Sequence, residues 1–245
     1  MAKATEDYRC GDVYQNLISF VDTILRARVL EGPPPRYKQW VQKCSVCERS
    51  HRGACQGART HIPLESPLRF KPVERGGGMF QADISCASVR RGGGLLDLNQ
   101  HTVLLRLWKL PQDSPRSVIH RVHIDLANSG QPGSWSHLQL GGRTVPSEEQ
   151  WYLPEETGEV RWPSSLFDVI LASELIIYTF WPETWAELAN DSAFSARVRK
   201  SESAMVKPFF NAWDSYQRNF SGTTFLGSIC NQRSRHPWTA SSTGS

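Results

Sequence analysis

The strand-type and helix-type hydrophobic patterns of this chain occupy separate stretches. From about residue 62 to residue 140, short apolar or alternating segments are bounded by glycine-rich runs, which is typical of antiparallel strands. From Pro163 onward, apolar residues instead recur at helical spacing. Because the strands precede the helices instead of alternating with them, the sequence predicts an α+β fold.

The same patterns divide the chain into consecutive segments. Residues 11–30 read as an amphipathic helix that Gly32 and the following prolines end. In the later part, Ser164 is expected to cap a first helix, Pro182 to begin a second and Asn190 or Asp191 to cap a third. The predicted organisation is an N-terminal helix (1–32), a basic Cys/His segment (33–61), a central antiparallel sheet (62–160), C-terminal helices (161–230) and a disordered tail (231–245).

Two details of the predicted sheet follow from local sequence. His101 to Leu110 is apolar on both faces, which predicts a central strand. Runs of one arginine and three glycines begin at Arg75 and Arg91. Such runs also occur in RNA-binding segments, but beside strands we interpret them as hairpin loops.

Two features of the sequence indicate where in the cell the protein is expected: its first ten residues and its most apolar run. The N-terminal ten residues lack the apolar core of a secretory signal. The run from Leu166 to Trp181 contains Asp168 and Glu174, so it is too short and too charged for a membrane span. We therefore expect a cytoplasmic protein without a membrane partner, whose six cysteines are thiols or metal ligands rather than disulfides.

The positive charge is concentrated in the middle of the chain. The net charge is +4, but residues 33–125 carry fifteen Lys/Arg against seven Asp/Glu, while both flanking regions are mildly acidic. A local basic excess attracts phosphate backbones. A basic excess is also found on ordinary solvent-exposed surfaces. Charge alone therefore does not decide between nucleic-acid binding and a solvated surface.

Cysteine and histidine in the basic segment have the spacing of a metal site. Cys44, Cys47, His51 and Cys55 follow the order Cys-x2-Cys-x3-His-x3-Cys, with His61 as an alternative ligand. Thiolates and imidazole are the ligands that Zn²⁺ prefers, so this order predicts a structural zinc similar to a zinc knuckle. Its later gaps are one residue shorter than usual, and free thiols in a loop are the alternative. The neighbouring candidates for nucleic-acid contact are Arg36, Lys38, Trp40, Lys43, Arg49, Arg52 and Arg59.

The stretch from Val118 to Pro146 reads as two strands joined by a loop. In the first strand, Arg121, His123 and Asp125 share one face, because side chains alternate with period two. If the two strands pair with their apolar faces aligned, these residues lie near Trp135, His137 and Gln139. His120 falls on the opposite, apolar face and is expected in the core.

This set of polar residues supports two interpretations. As a ribonuclease site, His123 or His137 would be the general acid or base, Asp125 would orient it and Arg121 would stabilise developing charge. Alternatively, the residues form a polar outer face with a salt bridge between Arg121 and Asp125. A facial-triad oxygenase is disfavoured, because His137 is too near in sequence to complete the His-x-Asp pair.

A set of short motifs lies between residues 118 and 190. It consists of a strand with an acidic residue, an H-L-Q/H-I/L-G motif, an R-x-P turn and an aromatic segment ending in proline. The positions are Asp125, His137, Leu138, Gln139, Leu140, Gly141, Arg143, Pro146, Phe180, Trp181 and Pro182. This set resembles the motifs of a poorly characterised bacterial family found beside phage-defence genes. The resemblance implies a bacterial antiviral context and favours Asp125, His137 and Gln139 as functional, without naming an activity.

Three functions remain open from sequence. The first is a nucleic-acid- or nucleoprotein-associated protein, an accessory subunit of an antiviral complex whose C-terminal helices dock to other chains. The second is a toxin-like ribonuclease. The third is a non-enzymatic adaptor whose tryptophans and last helices bind protein.

Overall fold

The computed structural model describes residues 10–33, 60–63, 67–90, 96–110, 117–126, 136–140 and 161–218. Within them lie an N-terminal helix, an antiparallel sheet and a set of C-terminal helices. The predicted α+β class is therefore confirmed.

The secondary structure follows the predicted order with different boundaries. The helices are α1 (Cys10–Arg26), α2 (Val169–Phe180), α3 (Pro182–Asn190), α4 (Ser192–Met205) and α5 (Lys207–Arg218). The strands are β1 (Thr60–Pro63), β2 (Leu68–Arg69), β3 (Val73–Arg75), β4 (Gly78–Arg90), β5 (Leu96–Leu110), β6 (Ser117–Leu126), β7 (Ser136–Leu140) and β8 (Arg161–Pro163). Strand β8 thus lies inside the segment that the sequence assigned to helices.

The strands form one antiparallel sheet in which most neighbours are also neighbours in sequence. The order is β1-β4-β5-β6-β7-β8, and β2 and β3 pair with β4 along the same edge as β1. Strand β5 is central, as its apolar character predicts. Segment 29–31 of the chain also pairs beside β2, where Lys71 N donates to Val29 O at 2.8 Å.

One face of the sheet is apolar and packs against the helices. Ala82, Ile84 and Val103 lie on this face and are at most 3% exposed. Helix α2, which is apolar along most of its length, packs on β4 and β5. Burial of side chains of this size stabilises a fold by about 1.5–3 kcal/mol each.

The other helices complete the core on the far side of α2. Helix α1 packs on α2 and α4. Phe20 of α1 stacks on Phe194 of α4 with ring centroids 5.3 Å apart, and both rings are at most 1% exposed. Asn16 Nδ2 donates to Arg197 O at 3.1 Å, which adds a polar contact between α1 and α4.

Helix α1 ends earlier than the glycine and prolines predict. Val29 N donates to Ile24 O at 3.4 Å and Arg28 N donates to Leu25 O at 3.0 Å, which together form a Schellman motif. Arg28 therefore adopts a left-handed conformation with φ of 61°. Val29 and Ile24 are buried, and this apolar contact closes the motif.

Replacing Arg28 with glycine should stabilise the protein. An L-residue with positive φ costs about 1–2 kcal/mol, and glycine avoids this cost at the price of a more flexible unfolded chain. Because the Arg28 side chain is exposed, we expect a net gain of about 0.5–1 kcal/mol, measured by urea unfolding. Arg26→Gly, two residues earlier inside the helix, is the matched control and should destabilise. If Arg28→Gly does not raise the free energy of unfolding, the positive φ at residue 28 does not carry the cost assigned to it.

A two-residue turn joins β3 to β4. Gly76 and Gly77 have φ of 57° and 76°, as a type I′ hairpin turn requires. The first glycine run is therefore a hairpin loop, as predicted, and the second run lies outside the described residues. Beside the turn, Arg75 Nη2 donates to Thr179 O at 3.0 Å. This bond places a cation at the C-terminus of α2, where the helix dipole favours it.

The start of α2 corrects a prediction. Ser164 does not cap the helix, because its Oγ donates to Ser165 O at 3.0 Å and the helix begins only at Val169. Asp168 is the cap, and its Oδ1 accepts from Leu171 N at 3.0 Å. Asp191 caps α4 as predicted, accepting from Phe194 N at 2.8 Å.

Among the helices of the described segments, none is both long enough and apolar enough to cross a membrane.

Candidate functional site

The second face of the sheet is polar, and the strand register arranges its residues in rows. One row runs across three strands through Asp83, Arg106 and Arg121. The next runs from Leu104 through His123 and Gln139 to Arg161. Residues opposite each other on paired strands have Cβ atoms about 4.5–5.5 Å apart. Each row therefore brings residues from distant parts of the sequence close together.

The first row contains a buried ion pair. Asp83 is fully buried, and Arg106 Nε donates to its Oδ1 at 2.7 Å. Trp108 Nε1 donates to the second oxygen, Oδ2, at 2.8 Å. The Arg106 guanidinium also lies over the Trp108 ring, 5.4 Å from its centroid. Both carboxylate oxygens are thus satisfied, as a buried charge requires.

The pairing of β6 with β7 confirms the predicted surface except for Trp135, which lies outside the described residues. His123 lies opposite Gln139, and Asp125 lies opposite His137. Arg121 follows on the same face of β6, opposite Arg106. Arg121, His123 and Gln139 are each half-buried. The sheet therefore brings the five predicted residues onto one face, while their catalytic or binding roles stay predictions.

His120 is not in the core. Its parity along β6 is that of the apolar face, but its side chain is exposed. The register of β5 with β6 shifts between Leu107 and Trp108, directly beside His120. Such an irregularity bends the strand and changes side-chain direction, which strict alternation does not anticipate. The interpretation of His120 as a core histidine is wrong.

Sequence reasoning missed Asp83, Arg106 and Trp108 as part of this face. Arg106 and Trp108 share the parity of the polar face, which a sequence could have indicated. Their partner Asp83 is 23 residues before Arg106 and on another strand. Only the register between β4 and β5 connects them.

Most of the predicted metal and nucleic-acid residues lie outside the described residues. These are Cys44, Cys47, His51 and Cys55, and Arg36, Lys38, Trp40, Lys43, Arg49, Arg52 and Arg59. The alternative ligand His61 lies in β1, where it is paired with Val89 of β4. The zinc site stays a prediction from spacing.

No group of three His, Cys, Asp or Glu side chains suited to a metal occurs within the part of the chain that the structure describes. The four predicted zinc ligands of the basic Cys/His segment lie outside that part.

Comparison of the chain with protein-family models, with curated proteins and with solved structures gives no significant match.

Proposed function

We propose that this protein binds nucleic acid through the polar face of its sheet, as a non-enzymatic component of an antiviral nucleoprotein assembly. The observation that carries the proposal is a difference in charge between the two layers. The described strand, bridge and hairpin segments (29–33, 60–63, 67–90, 96–110, 117–126, 136–140 and 161–163) carry eight Lys/Arg against five Asp/Glu, a balance of +3. The described helical segments (10–28 and 164–218) carry seven against nine, a balance of −2.

The arrangement of the polar face strengthens this proposal. Asp83 is buried and paired with Arg106, so its negative charge is neutralised within the face. Arg121 lies in the next strand of the same row, and the neighbouring row contributes His123 and Arg161. Cations that follow successive strands suit a phosphate backbone, because that backbone presents negative charges at regular intervals.

Two further observations from the sequence support the same ligand. The segment that leads into β1, residues 33–61, carries six Lys/Arg against one Asp/Glu. A zinc knuckle formed by Cys44, Cys47, His51 and Cys55 would make this basic segment a compact nucleic-acid-binding module. The resemblance to a phage-defence-associated family provides the bacterial antiviral context.

The ribonuclease remains the second candidate, because the register favours it specifically. Asp125 and His137 are direct cross-strand partners, and His123 lies one row away on the same face. A histidine held next to a carboxylate is a common general base. Arg121 on that face would stabilise charge on a phosphate.

One experiment addresses both candidates. Labelled single-stranded RNA is titrated with the full chain across a salt series, and the RNA is examined for cleavage in the same samples. Arg121→Gln should weaken binding about threefold to tenfold and reduce the slope of log affinity against log salt by about one, since one phosphate contact is lost. Arg199→Gln, an exposed arginine of α4, is the matched control and should change neither value.

The outcomes are separable. No RNA binding at low salt, or equal weakening by Arg199→Gln, would overturn the assignment of the sheet face. RNA cleavage that disappears in both His123→Ala and His137→Ala, with melting temperatures unchanged, would establish the ribonuclease instead. Binding without cleavage is the result that we expect.

A further inference from the structure

The outer side of α2 exposes two large apolar side chains that the helical core leaves uncovered. Leu175 is 47% exposed and Tyr178 is 56% exposed. They lie three residues apart, so they share one face of the helix. The other bulky aliphatic residues of α2 (Val169, Ile170, Leu171, Ile176 and Ile177) are buried. The exposure is therefore confined to a defined patch.

Aromatic and acidic groups from adjacent helices continue this patch. Tyr178 contacts Trp185 of α3 edge to face, with ring centroids 5.1 Å apart and an interplanar angle of 78°. Trp185 Nε1 donates to Glu174 Oε1 at 3.3 Å, which fixes the carboxylate beside the two rings. We call Glu174, Leu175, Tyr178, Trp185 and Glu202 the α2 patch.

The charged groups of the patch are two carboxylates. Burial raises the pKa of Glu174, the hydrogen bond from Trp185 lowers it, and the charge of Glu202 on α4 raises it. The two negative charges therefore repel each other. Between residues 164 and 196 the chain has five Asp/Glu and no Lys, Arg or His. A cation from another molecule would reduce the repulsion between the two carboxylates.

We propose that the α2 patch is a docking surface for a basic segment of a partner protein, in which arginine or lysine is flanked by apolar residues. The cation would lie between Glu174 and Glu202 and over an aromatic ring, where cation–π attraction adds to the ion pair. The apolar flank would cover Leu175 and Tyr178. The fixed Glu174–Trp185 pair lowers the cost of ordering the site before binding.

The two carboxylates of the α2 patch favour a basic partner over a nucleic acid or a purely apolar partner. A nucleic acid would be repelled by the same carboxylates, so it binds elsewhere on the molecule if the proposed function holds. A purely apolar partner would bury the negative charges of Glu174 and Glu202 without a compensating cation, which is costly. The docking surface does not depend on the sheet face, and either proposal can fail without the other.

The test uses a displayed library of random twelve-residue peptides, selected against the full chain and counter-selected against the double variant Glu174→Gln/Glu202→Gln. We expect enriched peptides to carry net positive charge with adjacent apolar residues. A synthetic peptide of the leading sequence, followed by fluorescence anisotropy, should bind at least tenfold more weakly to the double variant and to Tyr178→Ser. Glu187→Gln, an exposed carboxylate of α3 outside the patch, should change its affinity less than twofold.

Other results would overturn the proposal. These are the enrichment of neutral or acidic peptides, no enrichment that depends on the two carboxylates, or equal weakening by Glu187→Gln. Sedimentation of the free protein tests whether a second copy of the chain occupies the patch instead. Self-association that the double variant abolishes would assign the patch to a homo-oligomer and reject the partner peptide. Melting curves of each variant confirm that affinity is compared between folded proteins.

Discussion

Replacing Asp83 with alanine is expected to destabilise the protein by about 3–5 kcal/mol. Asp83 is fully buried and accepts from Arg106 Nε and Trp108 Nε1. Its removal takes the carboxylate acceptor away from Arg106 Nε and Trp108 Nε1, while Arg106 Nη2 keeps its bond to Ser85 Oγ at 3.4 Å. Such groups cost more when orphaned than the intact pair contributes, because their desolvation is no longer compensated. Urea unfolding followed by far-UV circular dichroism measures the loss.

Two variants make this prediction specific. Glu74→Ala removes an exposed carboxylate from β3 of the same sheet, and should change stability by less than about 0.5 kcal/mol. Asp83→Asn keeps the shape and one acceptor oxygen but not the charge. Its loss of stability should therefore lie between those of Asp83→Ala and Glu74→Ala. If Asp83→Ala costs no more than Glu74→Ala, the ion pair does not stabilise the sheet.

The second large effect concerns Asp168 at the start of α2. One oxygen accepts from Leu171 N, and the other accepts from the Ser201 hydroxyl of α4. Asp168 is 5% exposed and Ser201 is fully buried. Asp168→Ala therefore removes a helix cap worth about 1–2 kcal/mol and leaves a buried hydroxyl unpaired at about 1–3 kcal/mol. We expect a total loss of about 2–5 kcal/mol.

Asp191 provides the matched comparison for this prediction. It caps α4 in the same way, through Phe194 N, but it is exposed. Asp191→Ala should therefore cost only about 1 kcal/mol. A double-mutant cycle of Asp168→Ala with Ser201→Ala should give a coupling of about 0.5–3 kcal/mol. Equal losses for the two caps, with no coupling, would show that the contact between α2 and α4 adds nothing.

The class of fold could be read from the sequence because it depends on local periodicity. Strand and helix patterns differ within a few residues, so their order along the chain was sufficient for α+β. Boundaries were less predictable where several residues could play the same part. Ser164 and Asp168 are both competent caps, and the bond from Ser201 of α4 that holds Asp168 is visible only in the structure. Similarly, Arg28 ends α1 although arginine has no preference for that backbone.

The part of the candidate site that depends on side-chain alternation and on hairpin pairing was predictable from the sequence. The faces of β6 and β7 follow from parity, and their adjacency in sequence makes direct pairing the simplest arrangement. Asp83 was out of reach because its partners are fixed by the register of two long strands. His120 was misplaced because an irregularity in the ladder cannot be seen in the spacing of apolar residues.

The edges of the sheet have a consequence for the protein at high concentration. Along one side, β4 is covered by three short strands of four, two and three residues, and β8 on the other side has three. A long open edge would offer a row of unpaired amides and carbonyls to another molecule and would promote fibre growth. In the described sheet, each terminal strand offers only a few such groups before it ends. These terminal strands therefore give crowded copies of the chain only a short template for strand-by-strand pairing.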